Sequence, residues 1–194
     1  MSYREDNPAA EDPRLVAMAR EGDRGAAEAL LRHHAPGAFA FALRLSRNTA
    51  EAEDLSQTAL MKAYCGLKGF RGESGFRTSL FRILLNEFRS RHRGRREDPV
   101  SLSEAGEVEA SIRTEPADRP DNALTESDLL ARVAGHVAAL PDRQREALTL
   151  LVHNGCTYAE IAAILGCSYE AVKVHVSLAR KKLRVALKDY LEEA

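Results

Sequence analysis

Residues 157–183 read TYAEIAAILGCSYEAVKVHVSLARKKL, and the punctuation of that stretch decides the fold. Thr157 and Glu160 stand three apart ahead of an apolar run, the spacing of a capping box, in which the Thr oxygen takes one free backbone N–H and the Glu reaches back for another. A short helix starts there, turns Ile161, Ala162 and Leu165 inward and breaks at Gly166. Ser168 then supplies a hydroxyl to cap a second helix. Two short helices joined by a tight glycine-containing turn make a helix-turn-helix unit. In the second helix Val172, Val176, Ala179 and Leu183 recur at helical spacing and form the packed stripe. Lys173, Ser177, Arg180, Lys181, Arg184 and Lys188 fall on a different stripe, which faces out.

Working back toward the N-terminus, Leu129, Val133, Val137 and Leu140 keep helical spacing up to Pro141. A further helix runs from Arg143 to Val152 and ends before the turn pair Asn154-Gly155. A recognition helix enters the major groove with its N-terminal residues at base edges, while cations further along neutralise phosphates. Tyr169, Glu170, Lys173, Val174 and Ser177 are therefore the candidates for base reading, and Arg180, Lys181 and Arg184 the candidates for phosphate contact. The alternative for this half alone is a tri-helical module that binds protein.

Residues 70–96, FRGESGFRTSLFRILLNEFRSRHRGRR, carry the second signal. A glycine-rich turn leads into a long helix beginning near Phe76, with Phe76, Leu80, Ile83 and Leu84 inward by period. Arg82, Asn86, Arg89 and Arg93 share one face and offer a polar, cationic stripe to a partner. Phe70, Phe81 and Phe88 lie near this surface, and aromatic and basic groups together suit unstacked single-stranded bases. Taken singly, these phenylalanines read as core. His33-His34 reads as a surface doublet rather than a ligand set.

Charge separates the chain into blocks although the net charge of its 194 residues is only −1. From Arg71 to Arg96 eight arginines face two glutamates, a net of +6; from Glu97 to Asp128 ten acids face two arginines, a net of −8; from Glu170 to Lys188 the net is +5. The acidic block contains Pro99, Pro116 and Pro120, few large apolar residues and no sustained period, so it reads as a flexible linker that cannot bury a core. The expectation is an all-α chain of two helical domains: a flexible N-terminus over 1–12, a first domain over 13–96, the acidic linker over 97–122, and a second domain over 123–194. No apolar run approaches the roughly 20 residues of a membrane-spanning helix, and the polar, acidic N-terminus lacks a signal peptide's apolar stretch. A cytoplasmic protein without membrane insertion is expected. Cys65, Cys156 and Cys167 are odd in number and widely spaced, which fits a reducing compartment. A zinc site from His153, Cys156 and Cys167 lacks any paired CxxC spacing, and neither half has a glycine-rich phosphate loop, so no metal or other cofactor is expected. With no ordered acid pair, nucleophile triad or metal constellation, an enzyme is not expected either.

Four segments in order, AEDLSQTALMKAY (52–64), FRGESGFRTSLFRILLN (70–86), LPDRQREAL (140–148) and YAEIAAILGCSYEAVKVHVSLARKKLR (158–184), resemble the extracytoplasmic-function group of bacterial RNA polymerase sigma factors. The resemblance covers about residues 13–191 and implies that the first domain is sigma region 2, which holds the polymerase clamp and reads the minus-10 element. The second domain would be region 4, which reads the minus-35 element and touches the polymerase flap. The acidic linker would thread the active-site channel and RNA exit path. By the same resemblance Asp54 and Gln57 match the pair that binds the core polymerase clamp helices. Lys62, Phe70, Phe76, Arg82, Asn86 and Arg89 match contacts to the non-template strand, and the loop from Arg71 to Gly75 matches the one that captures a flipped base. In region 4 Lys173 and Arg180 carry over. Core RNA polymerase, promoter DNA and an anti-sigma factor are the partners implied.

The sequence also departs from the family's pattern. Ser79 stands where a tryptophan is usual, so a melting wedge made by that ring is missing, and Val174, His175 and Leu178 replace residues usual in the recognition helix. The minus-35 preference is therefore expected to differ from the family's usual one. Two other readings compete: a helix-turn-helix regulator leaves EDLSQ and the arginine stripe without a task, and a sigma-like mimic that sequesters an anti-sigma factor need not keep both basic faces.

Overall fold

The computed structural model describes residues 12–72, 74–92 and 126–188. Eight α-helices make up its regular structure among these residues, with one short 3-10 turn at Leu67–Gly69 and no strand. They are α1 (Asp12–Arg20), α2 (Arg24–Ser46), α3 (Thr49–Gly66), α4 (Phe76–His92), α5 (Glu126–Ala138), α6 (Asp142–Val152), α7 (Tyr158–Leu165) and α8 (Tyr169–Ala186). The acidic linker and Arg93, Arg95 and Arg96 lie outside the described residues. No single described helix is long and apolar enough to cross a membrane.

Local chemistry sets the helix ends. Asp23 accepts the Ala26 N–H at 3.0 Å and Asn48 accepts that of Glu51 at 3.0 Å, each satisfying a backbone donor that has no partner inside the helix. Thr157 and Glu160 form the full capping box at the start of α7, with both reciprocal bonds present. Gly166 closes that helix at φ +67, a left-handed conformation in which a Cβ is strained. Ser168 then accepts the Ala171 N–H at 3.1 Å and opens α8.

Helices α1–α4 pack around Leu30, Phe41, Leu55, Leu80, Leu84 and Leu85, all fully buried. The rings of Phe41 and Phe81 meet at 5.2 Å, locking α2 to α4. Helices α6–α8 bury Leu150, Ile161, Ile164, Val172 and Val176. Val172, Val176 and Ala179 are buried and Leu183 half-buried, the stripe expected from their spacing.

The two helical halves pack against each other: α4 packs on α7 and α2 on α6, and one buried cluster spans both halves, beside a smaller one of Leu140, Leu148 and Ala179 in the second. One expectation needs correction: His33 and His34 are not both on the surface. His33 is exposed, but His34 is 7 % exposed with its ring 5.3 Å from that of Phe76, because the turn of helix between neighbours rotates the second imidazole toward α4.

Candidate nucleic-acid interface

Helix α8 presents its cationic face to solvent. Tyr169, Glu170, Lys173, Val174, Ser177, Arg180, Lys181 and Arg184 are all exposed. Near its N-terminal end the groups are coupled: Lys173 Nζ lies 3.1 Å from Glu170 Oε2 and 5.9 Å from the Tyr169 ring centre. Tyr169 in turn packs against Tyr158 at 5.8 Å. The Glu170–Lys173 pair is open to water, so its strength is of order 1 kcal/mol or less and Lys173 is readily released to another acceptor. Val174 adds exposed methyl groups one position on, suited to apolar contact with a thymine methyl.

The surface of α3 and α4 is held by cross-helix charges. Lys62 pairs with Glu87, Arg91 with Asp54, and His92 Nε2 lies 2.7 Å from Glu51. Arg91 also donates to Thr58 Oγ1 at 3.3 Å. Asp54 and Gln57 are exposed one turn apart, and Gln57 borders an apolar groove formed with Leu31, Phe39, Leu60, Met61 and Tyr64. Arg71, Arg82 and Asn86 are exposed, and Phe70 is half-buried with its ring 6.1 Å from that of Phe76. Phe76 itself is 3 % exposed, so of its two sequence readings the inward one holds and its ring is not offered to a base in this arrangement. Ser79, at the position usual for tryptophan, is also buried, and its hydroxyl meets that of Ser74 at 3.0 Å, tying the loop ahead of α4 to the helix.

Arg89 is not on the free face that the periodicity assigns it. Its Nε and Nη2 donate to both carboxylate oxygens of Glu146 on α6, the Nε bond at 3.2 Å. Arg77 bridges the halves too, donating to Glu160 Oε1 at 3.0 Å and to the Asn154 carbonyl at 3.3 Å. Arg77, Glu146 and Glu160 have no interdomain role in the sequence reading. Their partners lie 57 to 83 residues away, so no spacing rule marks them. Glu160 serves twice, as helix cap and as ion-pair partner. Desolvation pushes its carboxyl up, but the Thr157 backbone bond and Arg77 outweigh that and hold it below the ordinary range.

Two imidazoles in the second half are depressed. Desolvation and then Arg44 lower His153; desolvation and then Arg143 lower His175, with Glu146 opposing. Their contribution to stability is fully present above the unfolded value of 6.5 and is lost as the pH falls through it toward the depressed folded values. Glu160 adds a loss in the same direction, at lower pH. Melting midpoints are thus expected to fall by a few degrees between about pH 7.5 and about pH 5. Replacing both histidines with glutamine should flatten that slope, and an unchanged slope would remove them as its source. Burial pushes the Cys156 thiol up to about 11, leaving it a poor nucleophile at neutral pH. His153, Cys156 and Cys167 do not converge, and no group of three His, Cys, Asp or Glu side chains is placed to hold a metal ion among the described residues.

Comparison with known proteins gives a consistent set of likenesses. The chain matches the family model for Sigma-70 region 2 over residues 30–97 and that for Sigma-70, region 4 over residues 136–183. It is 31 % identical to the RNA polymerase sigma-H factor of Pseudomonas aeruginosa over 188 residues, covering 95 % of this chain and 97 % of that protein. It is 35 % identical to the ECF RNA polymerase sigma factor EcfG of Rhodopseudomonas palustris over 152 residues, 78 % of this chain and 80 % of that one. Among solved structures it resembles CnrH in complex with the cytosolic domain of CnrY, with a TM-score of 0.67, 28 % identity and coverage of 92 % and 97 % of the two chains. It also resembles the sigma factor RpoE of Bartonella quintana in complex with the anti-sigma factor NepR, with a TM-score of 0.61, 35 % identity and coverage of 83 % and 96 %.

Proposed function

Because the chain belongs to the ECF RNA polymerase sigma factors, we propose that it binds core RNA polymerase and directs promoter-specific initiation in the cytoplasm, with no catalytic step of its own. Residues 13–96 act as region 2, 97–122 as the acidic linker and 123–194 as region 4. The observation that carries this reading is the α8 surface, where an exposed cationic stripe is set on a helix-turn-helix whose opposite stripe is buried. Tyr169, Glu170, Lys173 and Ser177 stand at base edges of the minus-35 element, and Arg180, Lys181 and Arg184 at its phosphates. In region 2, Lys62, Phe70, Arg71, Arg82, Asn86 and Arg89 serve the minus-10 strand, while Asp54 and Gln57 meet the polymerase clamp. The likeness to the sigma factor RpoE solved with the anti-sigma factor NepR supports an anti-sigma factor as a further partner.

Run-off transcription with core polymerase over a promoter library tests the whole reading, because a repressor or a sigma mimic gives no promoter-directed transcript. A finer test divides the work along α8. Lys173 lies in the second turn, where side chains reach bases, and Arg184 lies near the far end of the helix. Losing a base contact costs about 1–3 kcal/mol at its own position, whereas losing a phosphate contact weakens all sequences and lowers the salt slope by roughly one ion. Lys173→Ala is expected to relax preference at one or two minus-35 positions, and Arg184→Ala to reduce affinity evenly. Binding to minus-35 variants at two salt concentrations separates the two; equal weakening of every variant by Lys173→Ala would make Lys173 a phosphate clamp.

A further inference from the structure

The side chain of Glu146 is only 3 % exposed and faces a guanidinium from the other half of the molecule. Carboxylates are almost never buried to this degree without a partner, because desolvation costs several kcal/mol per ion in the absence of compensation. Here the partner is Arg89, whose two donors engage both oxygens. Planar two-point pairing is also how arginine takes a phosphate, so the same fork serves either partner but not both together. A second bridge, from Arg77 to Glu160 on α7 and to the Asn154 carbonyl, ties the same helix α4 to the second half. The apolar contact beneath them joins the two halves. The outer face of α8 takes no part in this contact and stays exposed.

We propose that Glu146 is an internal competitor for nucleic acid: it holds Arg89 in a closed arrangement of the two halves, and Arg89 reaches minus-10 DNA only after the Arg89–Glu146 and Arg77–Glu160 pairs have parted. The inference rests on the reading of Arg89 as a minus-10 contact. It makes the two DNA surfaces unequal in the free chain, since the minus-35 face is open while part of the minus-10 face is engaged internally. A phosphate backbone competes for Arg89 directly, and salt weakens both bridges, more so the Arg77–Glu160 pair, whose side chains are each about one-third exposed.

The test uses the full chain carrying Glu146→Gln and Glu160→Gln. The glutamine at 160 preserves the capping box while removing the charge that Arg77 meets, and circular dichroism verifies that the helices persist. X-ray scattering reads the separation of the halves, and fluorescence anisotropy reads binding of a single-stranded minus-10 oligonucleotide and, separately, of a minus-35 duplex. A latch that keeps nine-tenths of the chains closed weakens strand binding about tenfold. The double variant is therefore expected to expand, to bind the strand about tenfold more tightly and to bind the duplex as the parent does. A folded variant that stays compact, or expands without gaining strand affinity, overturns the competitor role. Adding Arg89→Ala to the double variant isolates the premise: loss of the gained affinity supports it. Unchanged affinity means that Arg89 does not serve the strand, and the competition then fails with that reading while the expansion still reports the latch.

Discussion

Phe41→Ala is expected to destabilise both halves of the chain together. The ring is fully buried, seated on α2 and 5.2 Å from Phe81 of α4, so truncation leaves a cavity where α2 packs on α4. Phenylalanine-to-alanine changes in such positions cost about 3–5 kcal/mol, because lost transfer energy and an unfilled cavity add together. That is a large share of the roughly 5–15 kcal/mol that holds a domain together. A melting midpoint lower by roughly 10 °C or more follows from the usual conversion. Thermal melts followed by circular dichroism measure it, and Leu178→Ala, at an exposed site on α8, is the control that should shift little. Since the halves share one buried cluster, the transition of the second half should move with the first. A second half that melts at its original temperature would show that the two are energetically independent.

Asp54→Ala combined with Gln57→Ala is expected to abolish most of the affinity for core polymerase without unfolding the chain. Both side chains are exposed on α3, and the Arg91 pair that Asp54 makes is a surface pair of about 1 kcal/mol or less. Truncating a residue at the centre of an interface often costs 2 kcal/mol or more, which corresponds to roughly 30-fold in affinity. Titration of labelled protein with core enzyme should show at least that loss, beside a melting midpoint within a few degrees of the parent's. Arg91→Ala is the informative control: it breaks the same ion pair from the α4 side, so comparable loss of binding there would assign Asp54 a positioning role through Arg91. Full core affinity in a folded double variant would remove Asp54 and Gln57 from the interface.

The sequence by itself determined the elements whose causes are local. The Thr157–Glu160 capping box, the Gly166 turn, the Ser168 cap and the buried stripe of Val172, Val176 and Ala179 all stand as their spacing implies, because each depends on residues three or four positions apart. Exposure of Asp54, Gln57, Lys173 and Arg184 followed from the same helical period. Tertiary structure alone decided which of those faces meet. His34 turned inward against Phe76, Ser79 bonded to Ser74, and Arg89 left the stripe it shares with Arg82 and Asn86 for Glu146. Helical period gives the direction of a side chain around its own axis, but not what another helix brings to that side. For Arg89 that was a buried carboxylate 57 residues along the chain, whose desolvation is offset only by an ion pair formed when the two halves close.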